Sequence, residues 1–151
     1  MPLRLHTELP DFADVDVWVN GRLSKADLLG KPVLVHFWAV SCHLCKEGLP
    51  IVNHWLEAYG EPYNLQIIGV HMPRSEKDTA IEQVEAAIKH YELTHPIIID
   101  NKHAVTDAFQ NEYVPAYYLF DQEHQLRHYQ AGERGLEIVN QRLLKILAVK
   151  E

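Results

Sequence analysis

The stretch Val33-Leu34-Val35-His36-Phe37-Trp38 is followed, after three intervening residues, by Cys42-His43-Leu44-Cys45, and this succession decides the fold. The first run is rich in β-branched and aromatic residues without alternation, which is typical of a strand buried on both faces. From Cys45 to Tyr59, apolar residues recur at spacings of three and four, which predicts a helix that contains Pro50. Cys42 therefore stands where a buried strand gives way to a helix.

Strand-like and helix-like runs continue to alternate through the rest of the chain. Further strands are predicted over 65–70, 96–100, 116–120 and 126–130, and further helices over 81–91, 104–109 and 136–146. Near the N-terminus, alternating valines followed by Asn20-Gly21 predict a β-hairpin. These elements predict one domain over residues 1–151, an α/β/α sandwich of three layers around a mixed sheet.

Composition and charge exclude several classes of function. Apolar residues make up 47% of the chain and charged residues 23%, as in an ordinary globular protein. The net charge is −7 and no cluster of lysine and arginine is present, so neither nucleic acid nor an anionic membrane is an expected partner. No apolar run approaches the roughly 18 residues that span a bilayer, and the N-terminus does not resemble a signal peptide. If Met1 is the natural start, we expect a cytoplasmic protein, by default a monomer.

The two cysteines of the chain both lie in Cys42-His43-Leu44-Cys45. In a reducing compartment, such a pair is typical of catalysis or metal binding rather than of a structural disulfide. Unpaired amides and the dipole at the start of the helix favour the thiolate of Cys42, while Cys45 is shielded one turn inside. We therefore expect Cys42 to attack a substrate disulfide and Cys45 to resolve the mixed disulfide, without a bound cofactor because the sulfurs carry both electrons.

Two other interpretations of the cysteine pair remain open. The cysteines could be two small core residues that happen to be neighbours. They could also belong to a copper or zinc carrier that uses Cys42, Cys45 and one histidine. A zinc site, however, needs about four ligands, and the ten histidines are scattered through the chain.

The segment Phe37 to Lys46, with Pro50 five residues after the second cysteine, resembles the active-site segment of thioredoxins. The preceding Gly30 to Val35 resembles the TlpA/ResA branch of thiol–disulfide oxidoreductases. Together with the later Tyr113-Val-Pro-Ala-Tyr-Tyr118, the motif is most similar to the soluble cytoplasmic group of these proteins in bacilli. The resemblance implies a thioredoxin-like fold with an N-terminal β-hairpin and a βα insertion over about 72–96. It also implies disulfide-containing client proteins and an upstream dithiol reductant as partners.

The resemblance also implies a role for Val114 and Pro115. Thioredoxin-like proteins have a cis-proline that faces the redox pair, and Pro115 stands at the matching position. A cis bond there turns the backbone of Val114 outward, where it can pair with an extended segment of a client. The alternative is an ordinary trans proline at the start of a strand.

Three side chains are candidates for tuning the pKa of the cysteines: His36, His43 and Trp38. His36 stands six residues before Cys42, where thioredoxins have a buried aspartate, and it could act as a base or, when protonated, favour the thiolate. His43, when cationic, would favour the Cys42 thiolate and make the disulfide more oxidising. The alternatives are a hydrogen-bonded core histidine, a solvated histidine and a packing tryptophan.

One further departure from the family pattern, and one comparison with peroxiredoxins, concern the reaction itself. TlpA/ResA proteins have a glutamate three residues after the second cysteine, where this chain has Gly48, and we do not transfer its role to the neighbouring Glu47.

Peroxiredoxins share the general fold, so a thiol peroxidase is another alternative. Their Thr-x-x-Cys approach to the nucleophile is absent, because Ala39 stands three residues before Cys42.

Overall fold

A computed structural model describes residues 2–12, 15–132 and 135–148 of the protein. Its strands are β1 (Trp18–Val19), β2 (Val33–Trp38), β3 (Gln66–His71), β4 (Ile97–Ile99), β5 (Ala116–Phe120) and β6 (Leu126–Ala131). They form one six-stranded sheet in the order β1-β4-β3-β2-β5-β6. The α-helices are α1 (His43–Trp55), α2 (Glu61–Tyr63), α3 (Ile81–His90), α4 (Ala104–Phe109) and α5 (Leu136–Ile146). Shorter turns are two 3₁₀ turns, Ala26–Leu28 and Glu76–Thr79, and a π-helical turn, Leu56–Gly60.

Strand β2 lies at the centre of the sheet, as its composition predicts. All six of its residues are buried. It runs parallel to β3, with Trp38 beside His71, and antiparallel to β5. Because β2 and β3 are parallel, their carboxyl ends meet at one edge of the sheet, and the cysteine motif follows β2 at that edge. The sheet is mixed, as predicted.

Helices cover both faces of the sheet. On one face, Phe37 of β2 packs with Phe109 of α4. On the other face, Leu34 packs with residues of α1 and α5, and Trp38 packs with residues of α1 and α3. The three-layer sandwich predicted from the sequence is therefore confirmed.

The N-terminal hairpin is the part of the predicted fold that is wrong. Asn20 and Gly21 do turn the chain, with φ of 68° and 117°, but the residues that follow form no strand. Instead, β1 pairs antiparallel with β4, and the Asn20 side-chain amide donates to the carbonyl oxygens of Leu93 (2.7 Å) and His95 (3.1 Å). Strand β4 would otherwise leave an unpaired edge, and residues 18–19 cover it.

The segment predicted as a βα insertion, 72–96, contains the turn Glu76–Thr79 and helix α3 and leads into β4. The hairpin of β5 and β6 and the final helix α5 also lie where the sequence predicts them. The insertion matters for the site, because it starts at the edge of the sheet where Cys42 lies.

Candidate active site

Cys42 is the residue that caps the start of α1. Its backbone is extended (φ −97°, ψ 106°), and its Sγ atom accepts a hydrogen bond from the backbone amide of Cys45 at 3.1 Å. The residue is 5% exposed. The predicted junction of buried strand and helix is therefore present, with the sulfur held at the end of the helix where amides and dipole favour negative charge.

Cys45 lies one turn further into α1 and is 1% exposed. Burial raises the pKa of its thiol, and the hydrogen bond with Cys42 raises it further, while the nearby charge of Arg74 acts in the opposite direction. Both cysteines are free thiols. The two sulfurs thus occupy different environments, since Cys42 lies at the N-terminal end of α1 and Cys45 is buried one turn further into the helix.

Val114 and Pro115 directly precede β5, and Val114 lies beside Cys42. The peptide bond between them is cis, as the resemblance implies. The carbonyl oxygen of Val114 lies 4.0 Å from Cys42 Sγ. The structure therefore brings this backbone segment beside the first sulfur.

His36 is buried, with 1% of its surface exposed, and its Nε2 atom lies 2.8 Å from Nε2 of His95. One ring therefore donates a hydrogen bond and the other accepts it. Burial lowers the pKa of His36 well below its ordinary value, with a further contribution from His95, and burial lowers the pKa of His95 to about 4. At neutral pH both rings are neutral, so this geometry matches the interpretation of His36 as a hydrogen-bonded core histidine rather than as a cation beside the thiols.

His43 and Trp38 have contrasting surroundings. The side chain of His43 is 84% exposed, and its Nε2 atom lies 3.1 Å from Glu47 Oε1, one turn along the helix. When protonated, His43 therefore has a carboxylate partner in solvent. Trp38 is 1% exposed, belongs to the same apolar cluster as both cysteines and packs edge-on against the ring of His71 at 5.0 Å.

His71, the last residue of β3, contacts the loop before Cys42. His71 Nε2 accepts a hydrogen bond from the backbone amide of Val40 at 3.0 Å. Burial lowers the pKa of His71 to about 4, although Asp78 acts in the opposite direction. The ring is therefore neutral at neutral pH and can accept this bond.

A second set of bonds holds Ser41, the residue directly before Cys42. Its hydroxyl donates to Asp78 Oδ2 at 2.7 Å and accepts from Arg74 Nη2 at 3.0 Å. The same Asp78 oxygen accepts the backbone amide of Arg74 at 2.9 Å. The signal that could have identified this set is the parallel pairing of β2 and β3, since the residues after two parallel strands meet at one edge.

Gly48 and Tyr117 meet on the inner side of α1. A Cβ atom added to Gly48 would lie 2.7 Å from the Tyr117 hydroxyl oxygen. Tyr117 is 3% exposed. Burial raises the pKa of Tyr117, and the charges of Cys45 and then Cys42 raise it further. A tyrosine hydroxyl from β5 therefore fills the space where the resemblance implies a glutamate side chain from α1.

Among the described residues, the groups of possible metal ligands and the apolar helices bear on the other interpretations. Within those residues, no three or more histidine, cysteine, aspartate or glutamate side chains are grouped so that they could hold a metal ion. A third ligand for a copper or zinc carrier is therefore not found in this part of the chain. Among the helices of the same residues, none combines the length and apolar character needed to cross a bilayer.

Comparisons with known proteins agree with this site. The AhpC/TSA family matches residues 5–129. The chain is 43% identical over 150 residues to the thiol-disulfide oxidoreductase YkuV of Bacillus subtilis. The alignment covers 99% of this chain and 100% of that protein. It is 25% identical over 144 residues to the thiol-disulfide oxidoreductase ResA of Bacillus cereus, covering 95% of this chain and 79% of that one. The resemblance to the TlpA/ResA branch is thereby confirmed.

Solved structures agree with the fold. The solution structure of a thioredoxin-like protein in the oxidised form is similar with a TM-score of 0.83 and 43% identity, covering all of both chains. A thiol-disulfide isomerase from Corynebacterium glutamicum has a TM-score of 0.71 and 22% identity, covering 96% of this chain and 98% of that one. The second likeness concerns the fold alone. Both confirm a thioredoxin-like architecture.

Proposed function

Because the chain belongs to the AhpC/TSA family and is a thiol–disulfide oxidoreductase, we propose that it reduces disulfides of client proteins with Cys42 as the attacking thiolate and Cys45 as the resolving thiol. One observation carries this assignment. Cys42 Sγ, at the N-terminal end of α1, accepts the backbone amide of Cys45 at 3.1 Å, and Cys42 is 5% exposed whereas Cys45 is 1% exposed. This difference supports Cys42 as the sulfur that meets the client and Cys45, one turn further into the helix, as the sulfur that resolves the mixed disulfide.

The reaction has two steps. The Cys42 thiolate attacks one sulfur of a client disulfide, forms a mixed disulfide and releases the other client sulfur as a thiolate. Cys45 then loses its proton and attacks Cys42 Sγ, which forms the Cys42–Cys45 disulfide and releases the client as a dithiol. Two electrons pass from the cysteine pair to the client, and an upstream dithiol reductant returns them.

Val114 is proposed to hold the client during the first step. Its carbonyl oxygen lies 4.0 Å from Cys42 Sγ, beside the place where the client sulfur must sit. An extended client segment that pairs with this backbone would present its disulfide to Cys42 in the manner of an added strand. Pro115 supports this placement because its cis peptide bond with Val114 directly precedes β5.

The remaining candidates are proposed to act through packing rather than charge. Trp38 shields Cys45 from water within their shared cluster, and His36 fills the core beneath α1 as a neutral ring paired with His95. The charge of a protonated His43 is shared with Glu47 in solvent, so its influence on the redox potential is small. We further propose that the protein works as a monomer in the cytoplasm, where a reducing environment keeps thiols such as this pair in the dithiol form.

A thiol peroxidase is less well supported, although peroxiredoxins share the general fold. Ala39, three residues before Cys42, has no hydroxyl to offer a peroxide. The hydrogen bond that Cys42 Sγ accepts comes from the backbone amide of Cys45, which is also the resolving cysteine of the proposed disulfide reaction. Measuring hydrogen peroxide consumption by the reduced protein separates the two activities.

The test of the proposed function is insulin disulfide reduction with dithiothreitol as the electron source. The wild-type protein should speed the reaction and Cys42→Ser should not. Cys45→Ser should lose turnover and accumulate a mixed disulfide with insulin, visible on a non-reducing gel. Full activity in either serine variant would contradict the two-cysteine relay.

A further inference from the structure

Tyr117 places a hydroxyl group against the helical turn that carries Cys45. The residue lies on β5 opposite His36 of β2, and the two rings are nearly parallel, with an interplanar angle of 16° and centroids 6.5 Å apart. The hydroxyl oxygen lies 2.7 Å from the position of a Cβ atom on Gly48. It therefore occupies the space that a side chain at position 48 would need.

This space lies beside Cys45. Residues three apart on an α-helix share a face, with Cβ atoms about 5–6 Å apart. Side chains also lean toward the start of the helix, so the volume over Gly48 faces the preceding turn and Cys45. The electrostatics agree, because charge on Cys45 and on Cys42 raises the pKa of Tyr117 in addition to burial. A protonated hydroxyl thus lies at Gly48, on the helix face that Gly48 shares with Cys45.

The resolving step needs such a group. Cys45 must ionise to attack Cys42, yet it is 1% exposed and burial raises the pKa of its thiol. A buried anion is costly unless a donor is hydrogen-bonded to it. Tyr117 can supply that donor, because its own proton is held tightly.

We propose that Tyr117 donates a hydrogen bond to Cys45 Sγ as this sulfur ionises during resolution, and that Gly48 keeps the space open for the hydroxyl. The inference rests on the proposed function and adds a residue to it. In the step, Cys45 gives its proton to the departing client thiolate, the Cys45–Cys42 bond forms and the bond between Cys42 and the client breaks. The cysteine pair is oxidised by two electrons, the client is reduced, and Tyr117 keeps its proton throughout.

The test separates attack from resolution in a single turnover. The reduced protein is mixed with excess dithiobis(nitrobenzoic acid), an aromatic disulfide that releases one coloured thiolate when Cys42 attacks and a second when Cys45 resolves. Tyr117→Phe should leave the first release unchanged and slow the second about tenfold, which corresponds to about one pH unit in the pH profile of that phase.

Tyr118→Phe is the matched control. Tyr118 is the neighbouring buried tyrosine, and its hydroxyl donates to Asn111 Oδ1 at 2.8 Å, in the apolar cluster on the other face of the sheet. Removing it deletes the same atom away from the thiols and should leave both phases unchanged. If the two tyrosine variants slowed the second phase equally, or if Tyr117→Phe left it unchanged, the inference about Tyr117 would be overturned.

Gly48→Ala provides a second route to the same group. The added methyl group would meet the Tyr117 hydroxyl at 2.7 Å, so the hydroxyl must move and the second phase should slow. In a Tyr117→Phe background the alanine should slow it no further, whereas equal slowing in both backgrounds would overturn the inference. If the wild-type protein released only one thiolate, the resolving role of Cys45 would fail, and with it the proposed function.

Discussion

Lowering the pH from 7 to 5 should destabilise the protein strongly, because the structure buries neutral histidines. Burial lowers the pKa of His71 and of His95 to about 4, from an ordinary value of 6.5, and places the pKa of His36 well below that value. The unfolded chain therefore binds more protons than the folded one as the pH falls below about 6.5. The stability that these groups contribute is complete above that pH and is lost as the pH falls toward 4.

The magnitude follows from the two pKa values. A histidine that stays neutral at pH 5 in the folded protein, but is protonated in the unfolded chain, lowers the free energy of unfolding by about 2 kcal/mol between pH 7 and pH 5. For His71 and His95 together, this decrease is about 4 kcal/mol, and His36 adds to it. Domains of this size have a total stability of about 5–15 kcal/mol, so the effect is a large fraction of the whole.

The assay is urea unfolding of the reduced protein at pH 7 and pH 5, followed by tryptophan fluorescence. His95→Asn should reduce the pH-dependent loss by about 2 kcal/mol, since one buried titratable group is gone. Asn111→Ala is the control, because it removes a buried hydrogen bond to Tyr118 without removing a titratable group. It should lower stability at both pH values and leave the loss unchanged. A free energy of unfolding that is equal at pH 7 and pH 5 would refute the reasoning.

Three further predictions concern the core, the loop before Cys42 and the exposed histidine. Phe109→Ala should lower the free energy of unfolding in urea by about 3–5 kcal/mol, because Phe109 is fully buried. The control Tyr113→Ala, at a residue that is 62% exposed, should lower it by about 0.5 kcal/mol or less. Equal losses of stability would contradict the packing described. Asp78→Ala should lower the free energy of unfolding by about 1–3 kcal/mol and slow attack by Cys42, because it removes the carboxylate that accepts the Ser41 hydroxyl. Glu76→Ala, at an exposed residue of the same turn, is the control. Equal effects of the two variants would count against the contact between Asp78 and Ser41. His43→Ala should change the equilibrium of the disulfide with glutathione by less than about twofold, since His43 is solvated beside Glu47; a tenfold change would show that its charge does tune the pair.

The geometry of the redox pair could be predicted because it is local. The composition of residues 33–38 indicates a strand buried on both faces, and the helix period begins directly afterwards. A cysteine between them must cap the helix, and a second cysteine three residues later must lie one turn inside. No long-range contact is needed for this conclusion.

The hairpin at the N-terminus could not be predicted in the same way. Asn20-Gly21 does form a turn, but the partner of β1 is decided by the exposed edge of β4, far along the chain. A local turn signal indicates where the chain reverses and not which strand it will meet.

The contacts around the site divide along the same line. His36 meets His95, and Gly48 meets Tyr117, across separate elements, and nothing in the spacing of these residues indicates the pairing. The contact of His71 with Val40 is an intermediate case. It follows from the parallel order of β2 and β3, which a family resemblance could have supplied.

The central claim is that Cys42, at the N-terminal end of α1, is the reactive sulfur, while Cys45 is buried one turn further into the helix. Limited alkylation of the reduced protein with iodoacetamide at neutral pH, followed by tandem mass spectrometry of the peptide that contains both cysteines, tests this directly. Cys42 should be modified first and Cys45 far more slowly, because Cys45 is 1% exposed and burial raises the pKa of its thiol. Modification of Cys45 as fast as Cys42, or faster, would contradict the account.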